Sequence, residues 1–269
     1  MTAMRVGLIG YGASGRLVGT LLRDGAGGPV EVTGVLVRDL ARYAVDAEAT
    51  GWPFVATLDA LIATGPELVA ELAGHEALRA SAETLLAAGI DVLTLSVGAL
   101  VDDAFRARLL AAAEAGDARI LVPSGAIAGL DAIGAAALLG LDEVEHRVVK
   151  PPRALVDGDE AQRIVDGGIP VELYRGPARE AAARFPANVN VVAAVSLAGV
   201  GADATMATVV ADPSVVYNTH EVRAVGAFGR LSVRLENRPS PANPKTGVLT
   251  AASVVRAIRR RTERLVIGA

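Results

Sequence analysis

Cysteine is absent from the chain, which excludes disulfides, thiolate nucleophiles and zinc–thiolate sites. Histidine is scarce: His75, His146 and His220 stand far apart with no H-x-x-x-H pair, so no metal site is expected. Aromatic residues make up only 3% of the chain and the net charge is −4, which leaves neither stacking platforms nor the basic stripe of a nucleic-acid binder. The C-terminal arginines Arg256, Arg259, Arg260, Arg261 and Arg264 have the spacing of one wet helix face. No apolar run approaches the roughly 18 residues of a membrane span. The first such run ends in glycines, unlike a signal peptide, so a soluble, cytoplasmic protein is expected. No G-x-S-x-G elbow and no H-E-x-x-H occurs, so the hydrolase templates find no match. With aromatics scarce, a chain that is 52% apolar must fill its core with Ala, Val, Leu and Ile. Helices packed on a parallel sheet do this.

What is present begins with "MRVGLIGYGASGRL", where Gly10, Gly12 and Gly15 follow the apolar run 6–9 in the spacing G-x-G-x-x-G. In a chain with 29 glycines the spacing is weak by itself, and its context decides. Short apolar runs at 6–9, 30–37, 68–72, 92–97 and 119–122 alternate with helical patterns at 14–23, 40–49, 76–88 and 102–115. This rhythm predicts an α/β, Rossmann-type, doubly wound parallel sheet over residues 1–125, with right-handed crossovers. In that setting Gly10 permits the tight turn, Gly12 lets backbone approach a pyrophosphate, and Gly15 lets helix and strand pack closely. The amides of Gly12, Ala13, Ser14 and Gly15 then receive the pyrophosphate at the helix N-terminus. The second strand ends "VLVRD", where an acidic residue selects NAD and an arginine NADP. Arg38 lies closer to the usual acidic position than Asp39, which points to NADP or to dual use. The alternative is a surface Arg38 beside an Asp39 that caps a helix.

After Pro123 the rhythm changes. A helix is expected over 126–139, then strands at 144–149, 170–174 and 205–211 and a hairpin of 218–225 with 228–236, turning at Gly226 and Gly229. Neighbouring strands with short links predict a second α+β domain with a mixed or antiparallel sheet, over 126–240. "ENRPSPANPKTG" carries Pro239, Pro241, Pro244 and Gly247 and reads as a loop. A helix over 248–261 follows, so that 241–269 is a loop and helix returning to the first domain.

The strings "ELAGHEAL", "LSVGAL", "PSGAIAGLDA", "VKPP", "FPANVNVVA", "NTHEV" and "NRPSPANPKT" occur in order along nearly the whole chain, and through them it resembles the L-aspartate dehydrogenase family. The resemblance implies NAD(P)-dependent oxidation of L-aspartate to iminoaspartate by hydride transfer to the nicotinamide. Iminoaspartate then hydrolyses to oxaloacetate and ammonia or enters de novo NAD synthesis, and reductive amination of oxaloacetate is the reverse. A homodimer through the second-domain sheet is also implied. Carried over by motif, the family's catalytic histidine falls on His220 in "NTHE", and its cofactor contacts on Ala126 in "SGAIAG" and Asn190 in "NVNV". The chain departs from the family at Leu72, where a cysteine is expected, and at Gly247, where serine is commoner.

The chemistry also favours His220. Removing hydride from the α-carbon needs a neutral amine, and the imine needs water activated or a proton supplied, which suits a side chain titrating near neutrality. A dicarboxylic substrate needs cations, and Lys150 and Lys245 are the only lysines of the chain. Ser124, Asn188 and Thr219 are candidates to hydrogen-bond the substrate or the nicotinamide amide. His75 reads as a helix-start residue lining the cofactor cleft, and His146, amid "DEVEHRVV", as exposed. Two alternatives stay open: a dehydrogenase or reductase of another small amino or keto acid, and a non-catalytic NADP-binding sensor on the same fold.

Overall fold

Apolar runs too short for a membrane and rich in Val, Leu and Ile pair side by side as buried strands. The computed structural model describes residues 3–185, 190–240 and 243–268. The chain divides into two units, Met1–Pro123 with Thr250–Ile267, and Ser124–Leu249 with Gly268–Ala269. No helix among the described residues is long and apolar enough to cross a membrane.

In the first unit the elements run β1 (Met4–Ile9), α1 (Ala13–Arg23), β2 (Val30–Leu36), α2 (Ala44–Thr50), β3 (Phe54–Val55), α3 (Leu58–Ala63), β4 (Leu68–Glu71), α4 (His75–Ala87), β5 (Asp91–Thr94), α5 (Asp103–Ala115) and β6 (Ile120–Leu121). All strand pairs are parallel, in the order β3-β2-β1-β4-β5-β6. Chain direction across the sheet reverses between β1 and β4, and α1 leaves β1 at that crevice, the place where open α/β sheets bind ligands. Val6, Leu8 and Leu68 are fully buried, as strands covered on both faces require. The last helix, α10 (Val248–Arg260), packs into this same core through Ala251, Val254, Val255 and Ile258.

The second unit holds α6 (Leu130–Ala137), β7 (Leu141–Lys150), α7 (Gly158–Gly167), β8 (Val171–Pro177), α8 (Ala178–Arg184), α9 (Asn190–Ala198), β9 (Met206–Ala211), β10 (Asn218–Gly226) and β11 (Gly229–Asn237). Its sheet has the order β11-β10-β7-β9-β8, with β7 and β9 parallel and the other pairs antiparallel. This is the mixed sheet expected, and the hairpin turns between Gly226 and Gly229 as expected.

Two expectations are corrected. The helix expected from 126 begins at Leu130, because Gly125 and Gly129 take φ of +62° and +83° and keep the intervening segment out of the helix. The breaker-rich stretch is not all loop. It contains β12 (Pro239–Ser240) and β13 (Asn243–Gly247), an antiparallel two-stranded ribbon, before α10 (Val248–Arg260). A two-stranded ribbon consists of edges only, where a proline lacking its N–H removes no ladder bond that a neighbouring strand needs.

Candidate active site

The glycine turn is built for close approach. Gly10 has φ of +89°, and a Cβ there would lie 2.7 Å from the Ala73 Cβ beyond β4. A Cβ on Gly15 would fall onto the Gly10 carbonyl oxygen, so helix and strand touch through that glycine. Gly12 differs: a Cβ on it would meet no described atom within 4 Å. As N-cap of α1 it offers no side-chain hydrogen bond, and no acidic residue stands in the first turn. The first-turn amides of Ala13 and Ser14 thus face the crevice with the positive end of the helix dipole, an arrangement that fits a pyrophosphate.

Gly10, Tyr11 and Gly12 line one wall of a cleft of about 720 Å³ formed at the ends of β1, β2 and β4. That volume lies in the range of cofactor pockets. The second wall carries Arg38, Asp39, Arg42 and Tyr43. Asp39 Oδ1 accepts from the amides of Ala41 (3.0 Å) and Arg42 (3.4 Å), so Asp39 caps the helical turn Ala41–Tyr43. Arg38 is exposed at the strand end, and Arg42, which the sequence reading passed over, joins it on the cleft wall. The signal for Arg42 was available: a capping aspartate followed by one helical turn places it beside Arg38. The third wall is stiffened by Glu71, fully buried, which accepts from the amides of Ala73 and Gly74 and from Thr94 Oγ1, each at 2.7 Å. His75 opens α4 as expected, but the cleft is lined by Ala73 and Glu76 on either side of it and not by His75.

In the second unit, strand alternation gathers a polar group within an aliphatic face. Val144, His146, Val148 and Lys150 share one face of β7, and Asn218, His220 and Val222 the matching face of β10, with His220 opposite Val148. His146 Nε2 and His220 Nδ1 lie 3.1 Å apart, with the rings stacked at 15°. His146, His220 and Lys150 are 1%, 3% and 3% exposed. His146 is therefore not the exposed residue its charged neighbours suggested. Glu143, Glu145 and Arg147 alternate onto the opposite face, where Arg147 and Arg234 pair with Glu221 at 3.2 and 2.7 Å. Burial, reinforced by the Lys150 ammonium, pushes His146 down to about 3. Burial, then His146 and Lys150, hold His220 well below its usual 6.5. Both imidazoles are neutral at neutral pH.

The other expected residues are distributed as follows. Thr219 is buried beside His220 and Ser124 is exposed. Ala126 is buried, and its carbonyl accepts from Asn237 Nδ2 at 2.8 Å, which ties the "SGAIAG" turn to the end of β11. Asn190 is half-buried as the first residue of α9. Lys245 falls in β13, and Asn188 lies outside the described residues. Asn237 was not singled out from the sequence, where a lone asparagine before "RP" carries no pattern. The C-terminal arginines are not a free cationic face: Arg256 and Arg259 pair with Glu263, and Arg261 with Asp91 at 2.7 Å.

Residues 10–123 match the family described as "Homoserine dehydrogenase, NAD binding domain", and residues 131–261 the family "Aspartate dehydrogenase, C-terminal". Among curated relatives, "L-aspartate dehydrogenase 2" of Bordetella pertussis is 44% identical, over 98% of this chain and 99% of that protein. The L-aspartate dehydrogenase of Ruegeria pomeroyi is 42% identical, over 96% and 92%. Among solved structures, aspartate dehydrogenase from Thermotoga maritima superposes with a TM-score of 0.76 at 25% identity, covering 98% of this chain and 99% of that one. A hyperthermophilic archaeal homoserine dehydrogenase in complex with NADPH shares the fold, with a TM-score of 0.61 at 14% identity over the full length of both chains. The identities to full-length relatives and the two family matches together establish that this chain belongs to the aspartate dehydrogenase family.

Proposed function

We propose that the chain is an NAD(P)-dependent L-aspartate dehydrogenase, with His220 as acid/base and Lys150 pairing with a substrate carboxylate. The observation that carries this reading is the burial, on one sheet face, of a lysine and a neutral imidazole pair. A cation withheld from water binds a carboxylate through charge-assisted hydrogen bonds more strongly than a solvated one does. That suits a dicarboxylic amino acid, the substrate named in its relatives.

Bound nicotinamide supplies the acceptor for the hydride that leaves the α-carbon. The first-turn amides of α1 hold the pyrophosphate, and Ala126 and Asn190 contact the cofactor. Arg38, with Arg42, receives the ribose 2′-phosphate, so NADP is preferred and NAD is also used. At His220, Nδ1 faces His146, and Nε2 is the nitrogen left to exchange protons with substrate or water. Ser124, Thr219 and Asn188 hydrogen-bond substrate, and Lys245 serves the second carboxylate. The product, iminoaspartate, hydrolyses to oxaloacetate and ammonia or feeds nicotinamide-nucleotide synthesis, and the same groups serve reductive amination of oxaloacetate. The protein works in this reading as a cytoplasmic homodimer.

Initial rates with L-aspartate at alkaline pH, read as reduced cofactor formed from NADP and from NAD, test the proposal. Turnover with aspartate supports it; turnover with a different amino acid alone moves the substrate assignment. Replacing His220→Ala should lower kcat by ~10²–10⁴-fold, the usual reach of general acid–base catalysis, with cofactor affinity retained. A variant that keeps wild-type kcat removes His220 from the chemistry.

A further inference from the structure

Both imidazoles of the buried pair are neutral, so each carries one proton, and only one proton lies between His146 Nε2 and His220 Nδ1. Two arrangements satisfy the bond. In one, His146 Nε2–H donates, and His220 carries its own proton on Nε2, away from His146. In the other, His220 Nδ1–H donates, His220 Nε2 is a bare lone pair, and the His146 proton is forced onto its Nδ1.

The surroundings distinguish the two. His146 Nδ1 is buried and meets no hydrogen-bond partner among the described residues. The second arrangement would place an N–H at that atom, and buried N–H groups without an acceptor are rare and costly. The aliphatic neighbours Val144, Val148 and Val222 on the same face offer no acceptor.

We propose that His146 is a positioning residue that donates Nε2–H to His220 Nδ1 and thereby fixes His220 in the tautomer whose proton sits on Nε2. The inference rests on the reading of His220 as the acid/base. It narrows that role: the resting site offers its substrate a neutral hydrogen-bond donor at Nε2, and His220 acts as a base there only when the pair passes to the other arrangement, in which Nε2 is bare. Such a donor suits an oxygen with a lone pair, a carboxylate or the keto oxygen of the reverse reaction, and disfavours an ammonium group, which has only N–H to present.

Long-range proton–nitrogen correlation on protein labelled with ¹⁵N in its three histidines reads the tautomer directly. Assignment uses the His75→Ala and His146→Gln variants. His220 is expected to show its proton on Nε2 in the wild type, and a proton on Nδ1 overturns the proposal. His146→Phe should lower kcat/KM about 10-fold, equivalent to ~1.4 kcal/mol, with cofactor affinity unchanged. His146→Gln, whose amide nitrogen replaces Nε2 as donor, should recover most of that loss. Equal activity of the Phe and wild-type proteins overturns the proposal, as does a Gln variant no better than Phe. If the Phe variant fails to fold, the wild-type spectrum and the Gln variant still decide. The spectrum is independent of turnover, so an active His220→Ala variant would remove the acid/base reading while leaving the tautomer measured.

Discussion

At the scale of single residues, hydrogen bonds and burial decide which of two adjacent candidates is available for chemistry. Asp39 is committed to the amides of Ala41 and Arg42, which leaves Arg38 to face the end of the cleft. Charge-assisted hydrogen bonds to a phosphate contribute about 1.5–3 kcal/mol, so Arg38→Glu should lower kcat/KM for NADP by roughly 10–150-fold. The NAD rate should stay within a few-fold, and parallel initial-rate assays check this. The histidine pair makes a prediction about stability. A folded pKa of about 3 for His146 lies below the unfolded 6.5, so the folded protein resists the proton that the unfolded chain binds. Stability is then at its full value above pH 6.5 and falls as the pH drops toward 3, by up to ~1.4 kcal/mol per pH unit for this group. Urea unfolding between pH 7 and 5, above the carboxylate range, should show that slope, and His146→Phe should reduce it. His220 was legible in the sequence as a residue worth attention, through "NTHE". His146 was not, because "DEVEHRVV" reads as charged in one dimension, and only the period-2 alternation of a strand separates His146 from Glu145 and Arg147.

At the scale of elements, the turn from β1 to α1 uses three glycines for three different reasons, and substitutions separate them. Gly10→Ala meets both a positive φ and the Ala73 Cβ at 2.7 Å, so it should destabilise the fold, by about 2 kcal/mol. Gly12→Ala has open space and should leave the melting temperature of the free protein unchanged. In the proposed site the new methyl stands where the pyrophosphate approaches, so cofactor binding should weaken about 10-fold or more. Thermal melts and cofactor titration of both variants test the assignment. The long periodic elements were legible in the sequence: β1, β2, β4, β5, α1, α4, α5 and the β10–β11 hairpin lie within a few residues of their expected bounds. The short ones were not. β3 has two residues and α3 six, too few for periodicity to register. α8 has only seven residues, again too few for periodicity to register, and α9 lies in sequence where nearly every position is apolar or small, so no face stands out and five consecutive residues are buried. The ribbon of β12 and β13 was hidden by prolines that propensity assigns to loops.

At the scale of the whole molecule, the first unit is assembled from two segments distant in sequence, Met1–Pro123 and Thr250–Ile267, with Ser124–Leu249 of the second unit between them. Helix α10 is a structural part of the sheet that forms the cleft. Ala251, Val254, Val255 and Ile258 recur at helical spacing on one stripe and join Val6, Leu8, Val35 and Leu68 in a single cluster. The contact is fastened by Arg261, whose guanidinium pairs at 2.7 Å with Asp91, itself nine-tenths buried at the start of β5. Asp91 also accepts from the amide of Arg119, so the pair bridges α10, β5 and the approach to β6. A partly buried ion pair of this kind contributes more than an exposed one, and removing one partner leaves the other poorly solvated. The apolar stripe contributes the larger share, since deleting a fully buried isoleucine costs about 2–5 kcal/mol. Ile258→Ala should therefore lower unfolding free energy by an amount in that range, and Arg261→Ala by less. Because the stripe packs under β1, β2 and β4, whose ends form the cleft, both variants should lose cofactor binding at the temperature where the first unit melts, well below that of the wild type. Differential scanning calorimetry with and without NADP checks this: the ligand-induced rise in melting temperature should follow the first transition in each variant. A chain ending after Leu249 should retain no saturable cofactor binding, and tight NADP binding by that truncated chain would show that α10 is dispensable to the nucleotide cradle.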